Sequence, residues 1–473
     1  MVDNELIGFV ASGLCGVYDR RKVRQAYQCA AYGERLYGYQ EVVFHAGMCL
    51  FRWYEAGVYY HNGKVWCRLE DYILEYAVKN SLSSSGVPKS DLVKCSYALV
   101  RSLKDGAKTS PLLVSPSVIG FRNGVWDFSD LDNPIYHPFT DRMPVLELLP
   151  YDYDVTAGCP AWCAFLESVL GKTEIHTLQK YLGLGCVDRR SMSHKIEETL
   201  WLIGNGANGK SVVFDVVRSV YGANNISYMG LDTLLSPSTE VRARFIGGMV
   251  GKIFNYCSEV QAEDISRHSD VFKSLCSGEP QTVRRLGQNP ETATAIPYLI
   301  FNMNRRPKDR FMDHALLRRL LFVHFKATVK LSDMNRGLAA DLLSELSGIR
   351  NWMMEGYRML VRDNYRFGVV DASDEEMTDY MLENGQSVQV YLNSSAIRPN
   401  RYVGHKEEKP QWALSTVLYQ DYVSYCHKWA IEPITQRIFG SELVRLGFSR
   451  KRTSSGYVYE VFSEVKLSFG LKI

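Results

Sequence analysis

Eight consecutive residues near the middle of the chain have the types and spacing to hold a polyphosphate. Gly204-Asn205-Gly206-Ala207-Asn208-Gly209-Lys210-Ser211 fits G-x-x-x-x-G-K-[ST] at every fixed position. Its glycines let the backbone wrap a phosphate with N–H groups pointing inward. Lys210 supplies a point charge to the β- and γ-phosphates, and Ser211 a hydroxyl to Mg²⁺. The helix expected to start there, running on through Val212, adds the positive end of its dipole. The chemistry this suits is binding and hydrolysis of ATP with Mg²⁺.

Such a site needs partners from neighbouring strands. A carboxylate at the end of one strand positions the metal and the attacking water. Glu259, closing the apolar run IFNYCSEV, is the candidate, ahead of Glu263 and Asp264. An amide at the end of another strand can report on the γ-phosphate. YLIFNMNRRP offers Asn304, with Asn302 as the alternative two residues back on the same face. HALLRRLLFVHF sets Arg318 and Arg319 just before a further strand, where an arginine could reach the nucleotide of an adjacent subunit. Arg319 ranks first because it abuts the strand.

The elements that must position these groups are legible as periodicity. TLWLI (199–203) is a short apolar run of the buried-strand kind, followed by the glycine loop and then VVFDVVRSVYG at helical spacing. Met249–Tyr256, Tyr298–Met303 and Leu320–Phe325 are further buried-strand candidates. Strands alternating with helical stretches predict a mostly parallel sheet. Upstream, alternation over residues 45–80 predicts a hairpin turning at His61-Asn62-Gly63-Lys64, then a helix. Residues 81–90 read as a loop, 117–157 as short strands and turns, and 160–186 and 335–368 as helical. Polar residues 370–410, with Pro399 and Pro410, contain a linker. The tail, 411–473, reads as helix, helix, then a hairpin over Ser454-Ser455-Gly456, the order of a winged helix.

Composition narrows the class. The 473 residues carry a net charge of only +3, so any grip on nucleic acid must come from local basic patches. Of the eleven cysteines, Cys159 and Cys163 form the only near pair, with no second pair at zinc-ligand spacing. No apolar run approaches the ~20 residues of a membrane span, and the first ten residues are too short and acidic for a secretory leader. The expectation is a soluble protein of the host cytoplasm.

In this order the motifs resemble the superfamily 3 helicases, ring-forming AAA+ motors, and among them the poxvirus-type primase-helicases of phages, plasmids and mobile islands. The likeness runs from about residue 45 to the C-terminus. GFRNGVWDF, LPYDYDVTAGCPAWCAFLESVL and LQKYLGLGCV resemble the helical domain before that motor. GNGANGKS, NYCSEV and IFNMNRRP match its A, B and C motifs. FKSLCSGEPQTVRRLGQNPETATAIP (272–297) resembles its intermediate motif, a hairpin that grips single-stranded DNA inside the ring. The resemblance makes Lys273, Arg284 and Arg285 the backbone contacts, with Gln288 in the tip Gly287-Gln288-Asn289-Pro290. Two arginines beside a turn suit phosphate contact without base reading.

The implied architecture is an α/β P-loop AAA+ core at 196–370. Before it come an N-terminal α+β region at 1–115 and a mainly helical domain at 116–195. After it come a linker at 371–410 and a winged helix at 411–473. Arg450, Lys451 and Arg452, with Arg445, make a basic patch in that tail that could meet duplex origin DNA. The resemblance implies a homo-oligomeric ring, of six subunits by preference, served by a separate primase or loader. Some 45 residues precede the likeness, too few for a primase domain, and the acidic pairs Asp130/Asp132 and Asp152/Asp154 read as structural. The rival reading is an AAA+ assembly switch that turns over ATP without unwinding.

Overall fold

The computed structural model describes residues 40, 43–45, 47–84, 89–204, 208–258, 268–284, 289–304, 314–325, 337–367, 386–399, 411–428, 431–454 and 456–463. Of the expected site residues, Asn205, Gly206, Ala207, Glu259, Arg285 and Gln288 lie outside them.

The first strands form an antiparallel sheet of β1 (Phe51–Tyr54), β2 (Gly57–His61) and β3 (Trp66–Leu69). Its β2–β3 turn is the expected one. Asn62 Oδ1 accepts the N–H groups of Lys64 and Val65 at 3.0 Å each, and Gly63 adopts φ 101°. Helices α1 (Asp71–Ser84) and α2 (Lys89–Lys108) cover the sheet with a shared core including Leu74, Leu99 and Leu103. Most of the expected loop at 81–90 is thus helical at its edges.

A second sheet follows, β4 (Val118–Phe121), β5 (Gly124–Asp127), β6 (Ile135–His137) and β7 (Leu148–Leu149), in spatial order β6-β5-β4-β7. Then come α3 (Pro160–Val169) and α4 (Lys172–Gly183). Proline at the first helical position suits α3, because its missing N–H is an orphan there anyway.

The central sheet consists of β8 (Thr199–Ile203), β9 (Ile226–Ser227), β10 (Phe254–Cys257), β13 (Tyr298–Met303) and β14 (Leu320–His324). Its order is β14-β8-β13-β10-β9, and every neighbouring pair is parallel. Every residue of β8 is buried, as a strand covered on both faces requires. One face (Leu200, Leu202, Tyr256, Ile300, Val323) packs on α5 (Lys210–Tyr221), α4 and α11 (Leu346–Arg362). The other (Trp201, Ile203, Leu299, Phe301, Met303) packs on α6 (Leu231–Leu234), α7 (Thr239–Gly247), α8 (Ser269–Cys276) and α9 (His314–Leu317). Between α8 and β13 lies an antiparallel hairpin, β11 (Gln281–Val283) with β12 (Glu291–Ala293). Helix α10 (Leu338–Ser344) precedes α11.

The segment 116–195 has strands over the stretch read as short strands and turns, then the helices expected from residue 160. It contains the four-stranded sheet, and Trp162, Leu166, Tyr181 and Leu182 of α3 and α4 belong to the same core as the central sheet. The last unit comprises α12 (Ser387–Ser394), β15 (Ile397–Arg398), β16 (Gln411–Leu414), α13 (Ser415–Lys428), α14 (Gln436–Arg445), β17 (Arg450–Thr453) and β18 (Gly456–Ser463). Val388, Tyr391 and Ile397 share a core with Leu418, Tyr422, Phe439 and Val461, so this unit starts inside the stretch expected as linker. Among the described residues no helix is long and apolar enough to cross a membrane.

Candidate functional site

Ligands of open parallel sheets sit beyond the carboxyl ends of the strands, and the glycine loop leaves β8 at that end. Gly204 N donates to Met303 O of β13 at 3.2 Å, fixing where the loop departs. A Cβ on Gly204 would clash with the Asn208 amide and lie 3.0 Å from Phe325 O, so glycine is required for this close approach. Gly209 has φ 89°, a left-handed conformation, and caps α5 without a side-chain hydrogen bond, leaving the first-turn N–H groups of α5 for a ligand. Phe165 of α3 floors the loop, its Cζ 2.8 Å from where a Gly209 Cβ would stand. Helix α3 is itself anchored by Glu345, which accepts from Ala161 N and Trp162 N at 3.0 Å each.

Lys210, the first residue of α5, is only 5% exposed. Its Nζ donates to the Gly204 carbonyl and to Asn208 Oδ1, the latter at 3.0 Å. Both are neutral oxygens, and burial pulls the lysine pKa down. Asn208 Nδ2 is buried with no acceptor. A buried ammonium facing neutral oxygens, an orphaned amide N–H and a free helix start together form a cradle short of negative charge. A polyphosphate fits that donor set. Ser211 is exposed on the first turn of α5, and Val212 is half-buried behind it. A hydroxyl, a carboxylate and phosphate oxygens are hard donors of the kind Mg²⁺ takes. Ser211 lies where it could serve. Among the described residues no group of three potential metal ligands exists.

Asn304 is exposed at the end of β13, and Asn302 is half-buried two residues before it. The register Tyr256↔Ile300 puts Tyr256, Ile300 and Asn302 on one face, the face covered by α5. There Phe214 of α5 stacks on Tyr256 with centroids 3.6 Å apart. Burial pushes the Tyr256 hydroxyl up to about 12, against the hydrogen bond with Asn302. Asn302 Oδ1 is buried without a partner. Asn302 therefore points toward the helix that carries Lys210. The packed Tyr256–Asn302 pair beneath the site was visible only in part, since the aromatic member sits on another strand.

The two arginines stand differently from the expected order. Arg319 is 6% exposed and pairs with Glu197 at 2.7 Å. Its carbonyl accepts from Thr199 N at 2.7 Å, at the amino end of β8. Abutting the strand thus buries it inside its own chain. Arg318 is the exposed one, its side chain 57% accessible and only 3.3 Å from the same Glu197 oxygen. The preference for Arg319 as a residue reaching a neighbour is reversed by this burial. Glu197, which organises both, was missed because it carries no motif.

The β11–β12 hairpin is present, with the expected contact Arg285 and the expected tip residue Gln288 outside the described set. Arg284 leaves β11, half exposed, and pairs with Glu240 of α7 at 3.0 Å, while its N–H bonds Ala243 O at 3.0 Å. Lys273 is half-buried on α8. In the C-terminal unit, β17 pairs β18 through Arg450↔Tyr459 and Arg452↔Tyr457, and Tyr459 Oη donates to Gly440 O of α14 at 3.1 Å. Arg450 and Arg452 therefore share the α14 side of the sheet, and Arg450 lies 4.9 Å from the Tyr457 ring. Lys451 faces the other way, 3.9 Å from the Trp412 ring. Arg445 pairs with Glu442 at 2.7 Å.

The acidic pairs take part in local bonds. Asp132 bonds Arg358 at 2.8 Å, Asp152 bonds Arg122 at 2.9 Å, and Asp130 and Asp154 accept nearby backbone N–H groups. Cys159 and Cys163 are free thiols with sulfurs 3.9 Å apart, and burial raises Cys159.

A family model described as a family of unknown function (DUF5906) matches residues 202–319, the stretch from β8 to Arg319. Among solved structures, the chain is similar to the apo structure of the NrS-1 C-terminal region (305–718). That match has 10% identity and a TM-score of 0.43, covering 88% of this chain and 95% of that one. The A form apo structure of the same region gives 11% identity and a TM-score of 0.38, over 67% and 80% of the two chains. At these scores nothing about activity follows.

Proposed function

We propose that this chain is an ATP-driven, ring-forming DNA helicase motor of the superfamily 3 type. The reading treats its central sheet as a P-loop AAA+ core and its last unit as a winged helix. One observation supports it above the others: the buried Lys210 ammonium, held by neutral oxygens at the carboxyl end of β8 where α5 begins. A buried cation with no counter-charge among the described residues is costly, and the anion that would complete it is the phosphate the glycine loop is shaped for.

In this reading Lys210, Asn208 and the first turn of α5 bind and orient the β- and γ-phosphates of ATP. Ser211 and Glu259 would hold Mg²⁺, which when bound neutralises charge on the phosphate oxygens. Glu259 also takes a proton from the attacking water, and Asn304, backed by Asn302, bonds the γ-phosphate. Arg318 is the arginine placed to enter the site of an adjacent subunit. Arg284 and Arg285 meet the backbone of single-stranded DNA, and release of Arg284 from Glu240 would be the local step that frees it.

The test is ATP turnover by the purified chain with and without single-stranded DNA, beside an Arg284→Ala/Arg285→Ala variant. DNA should raise turnover in the parent, and the variant should lose that stimulation. Turnover indifferent to DNA in both proteins would replace the motor with an assembly-switch ATPase.

A further inference from the structure

Glu197 stands just before β8, at the amino end of the central sheet and away from the glycine loop. Its two carboxylate oxygens face different parts of the chain. Oε2 accepts from the arginine pair, at 2.7 Å from Arg319 and 3.3 Å from Arg318. Oε1 accepts from Ser277 Oγ at 2.9 Å and lies 3.7 Å from Lys195 Nζ. Ser277 caps the carboxyl end of α8, and the chain turns from it into β11. One carboxyl group therefore joins the arginines to the foot of the β11–β12 hairpin.

Most of that foot is clamped. Arg189 gathers both legs of the hairpin onto the lead into β8. It donates to Cys276 O before the hairpin, and to Ile296 O at 3.3 Å and Pro297 O at 3.0 Å after it. It also donates to Ile196 O, beside Glu197, at 3.0 Å. Gly278 makes the turn with φ 62°, and a Cβ there would lie 2.6 Å from Arg189 Nε, so the turn packs directly on the guanidinium.

One contact at the foot has two places to go. Lys195, half exposed, donates to Glu279 Oε1 in this turn at 3.2 Å and stands 3.7 Å from Glu197 Oε1. An ammonium shared by two carboxylates lies where their competing attractions balance. The arginines differ in the same respect. Arg319 is buried, and its carbonyl accepts from Thr199 N of β8, so it stays. Arg318 is exposed and held by the longer bond, so it is the one free to leave.

We propose that Glu197 and Lys195 couple Arg318 to the hairpin, a reading that rests on the motor assignment above. With Arg318 in place, Glu197 has both guanidinium partners, and Lys195 stays on Glu279 and holds the turn into β11. When Arg318 moves to a phosphate in the neighbour's site, Glu197 loses one cation and draws Lys195 across. Glu279 is then released, and the hairpin foot gains freedom at that turn. By reciprocity of linked equilibria, a strand that displaces Glu279 frees Lys195 for Glu197 and eases the departure of Arg318. Lys195 between its two carboxylates is the two-position element such coupling needs. Both are positioning residues, acting through Arg318 and the hairpin.

The test uses the full chain and three variants remote from the phosphate loop. Lys195→Met keeps the stem and deletes the charge, Lys195→Arg restores the charge, and Glu279→Gln removes the alternative partner. Binding of a fluorescent single-stranded oligonucleotide is followed by anisotropy, with ADP and with a non-hydrolysable ATP analogue. ATP turnover is measured with and without the strand. In the parent the two affinities should differ at least about fivefold, and the strand should raise turnover. Lys195→Met and Glu279→Gln should each bring the two affinities within about twofold and abolish the stimulation, with DNA-free turnover kept. Lys195→Arg should recover both readouts. A parent-like affinity ratio in Lys195→Met and Glu279→Gln overturns the coupling and leaves the motor reading intact. Loss of DNA-free turnover in both variants also overturns it, since that marks general damage. A parent indifferent to nucleotide and strand alike overturns the coupling and the motor reading together.

Discussion

Lys210, Arg318, Arg319 and Glu197 show how far single residues could be read in advance. The glycine string is local, so the chemistry proposed for it is argued from eight adjacent letters. The arginine pair was not, because what separates its members is Glu197, 122 positions away from Arg319. We expect Arg319→Ala to lower stability by about 2 kcal/mol, since it removes a buried charge partner of a half-buried carboxylate, as read by chemical denaturation. Arg318→Ala should leave the melting curve nearly unchanged yet cut turnover by about 10³ or more if it completes a neighbour's site.

Glu197 also sets a pH dependence. Burial alone would raise its carboxyl, but a 2.9 Å bond from Ser277 and the charges of Arg319, Arg318 and Lys195 outweigh that and hold it below its ordinary value of 4.5. A folded pKa below the unfolded one means stability is present above the unfolded value and is lost as pH falls through the folded one. Denaturation midpoints should therefore drop as pH falls below its ordinary value of 4.5, and Glu197→Gln should flatten that drop. An unchanged slope in the variant would remove Glu197 from the account.

At the scale of elements, strand and helix types were legible wherever periodicity was strong: β8, β13, β14, α5 and the β2–β3 turn, while the β11–β12 hairpin came only from the resemblance. What the sequence concealed was which elements share a core. Helices α3 and α4 read as a separate domain because their apolar stripes do not say what they face. They face α11 and the central sheet. The contact is close because Gly356 of α11 lies against the Gln179 carbonyl and Gly183 of α4 against the Tyr357 N–H. A methyl group at Gly356 has no room, so Gly356→Ala should cost about 1–3 kcal/mol. Thermal denaturation of that variant checks it, and a wild-type melting temperature would mean the helices can part without loss. The start of the C-terminal core at Val388 was hidden likewise, because α12 sits in a polar stretch whose partners come 25 or more residues later.

For the whole molecule, the arrangement is a glycine loop with the buried Lys210 at the carboxyl edge of a parallel sheet, the exposed Arg318 at the opposite edge and a basic β17–β18 hairpin in the last unit. A subunit built this way has the pieces of one site on two edges, which is why the proposal needs a ring. The tail adds its own prediction. Arg450 and Arg452 lie on the α14 side of the sheet with Tyr457, so replacing both by alanine should weaken duplex DNA binding roughly equally across sequences. The log–log salt slope should fall by about 2. A change at one sequence only would point to base reading instead. Net charge near zero for the whole chain gave no hint of this patch, because its cations are offset by carboxylates elsewhere.

The central claim is that the glycine loop and Lys210 form a working ATP site, and steady-state ATP hydrolysis by the parent beside Lys210→Ala tests it most directly. The account predicts Mg²⁺-dependent turnover in the parent and its loss in a folded Lys210→Ala variant. Equal turnover in the two proteins, or none in the parent with Mg²⁺ and single-stranded DNA present, would contradict it.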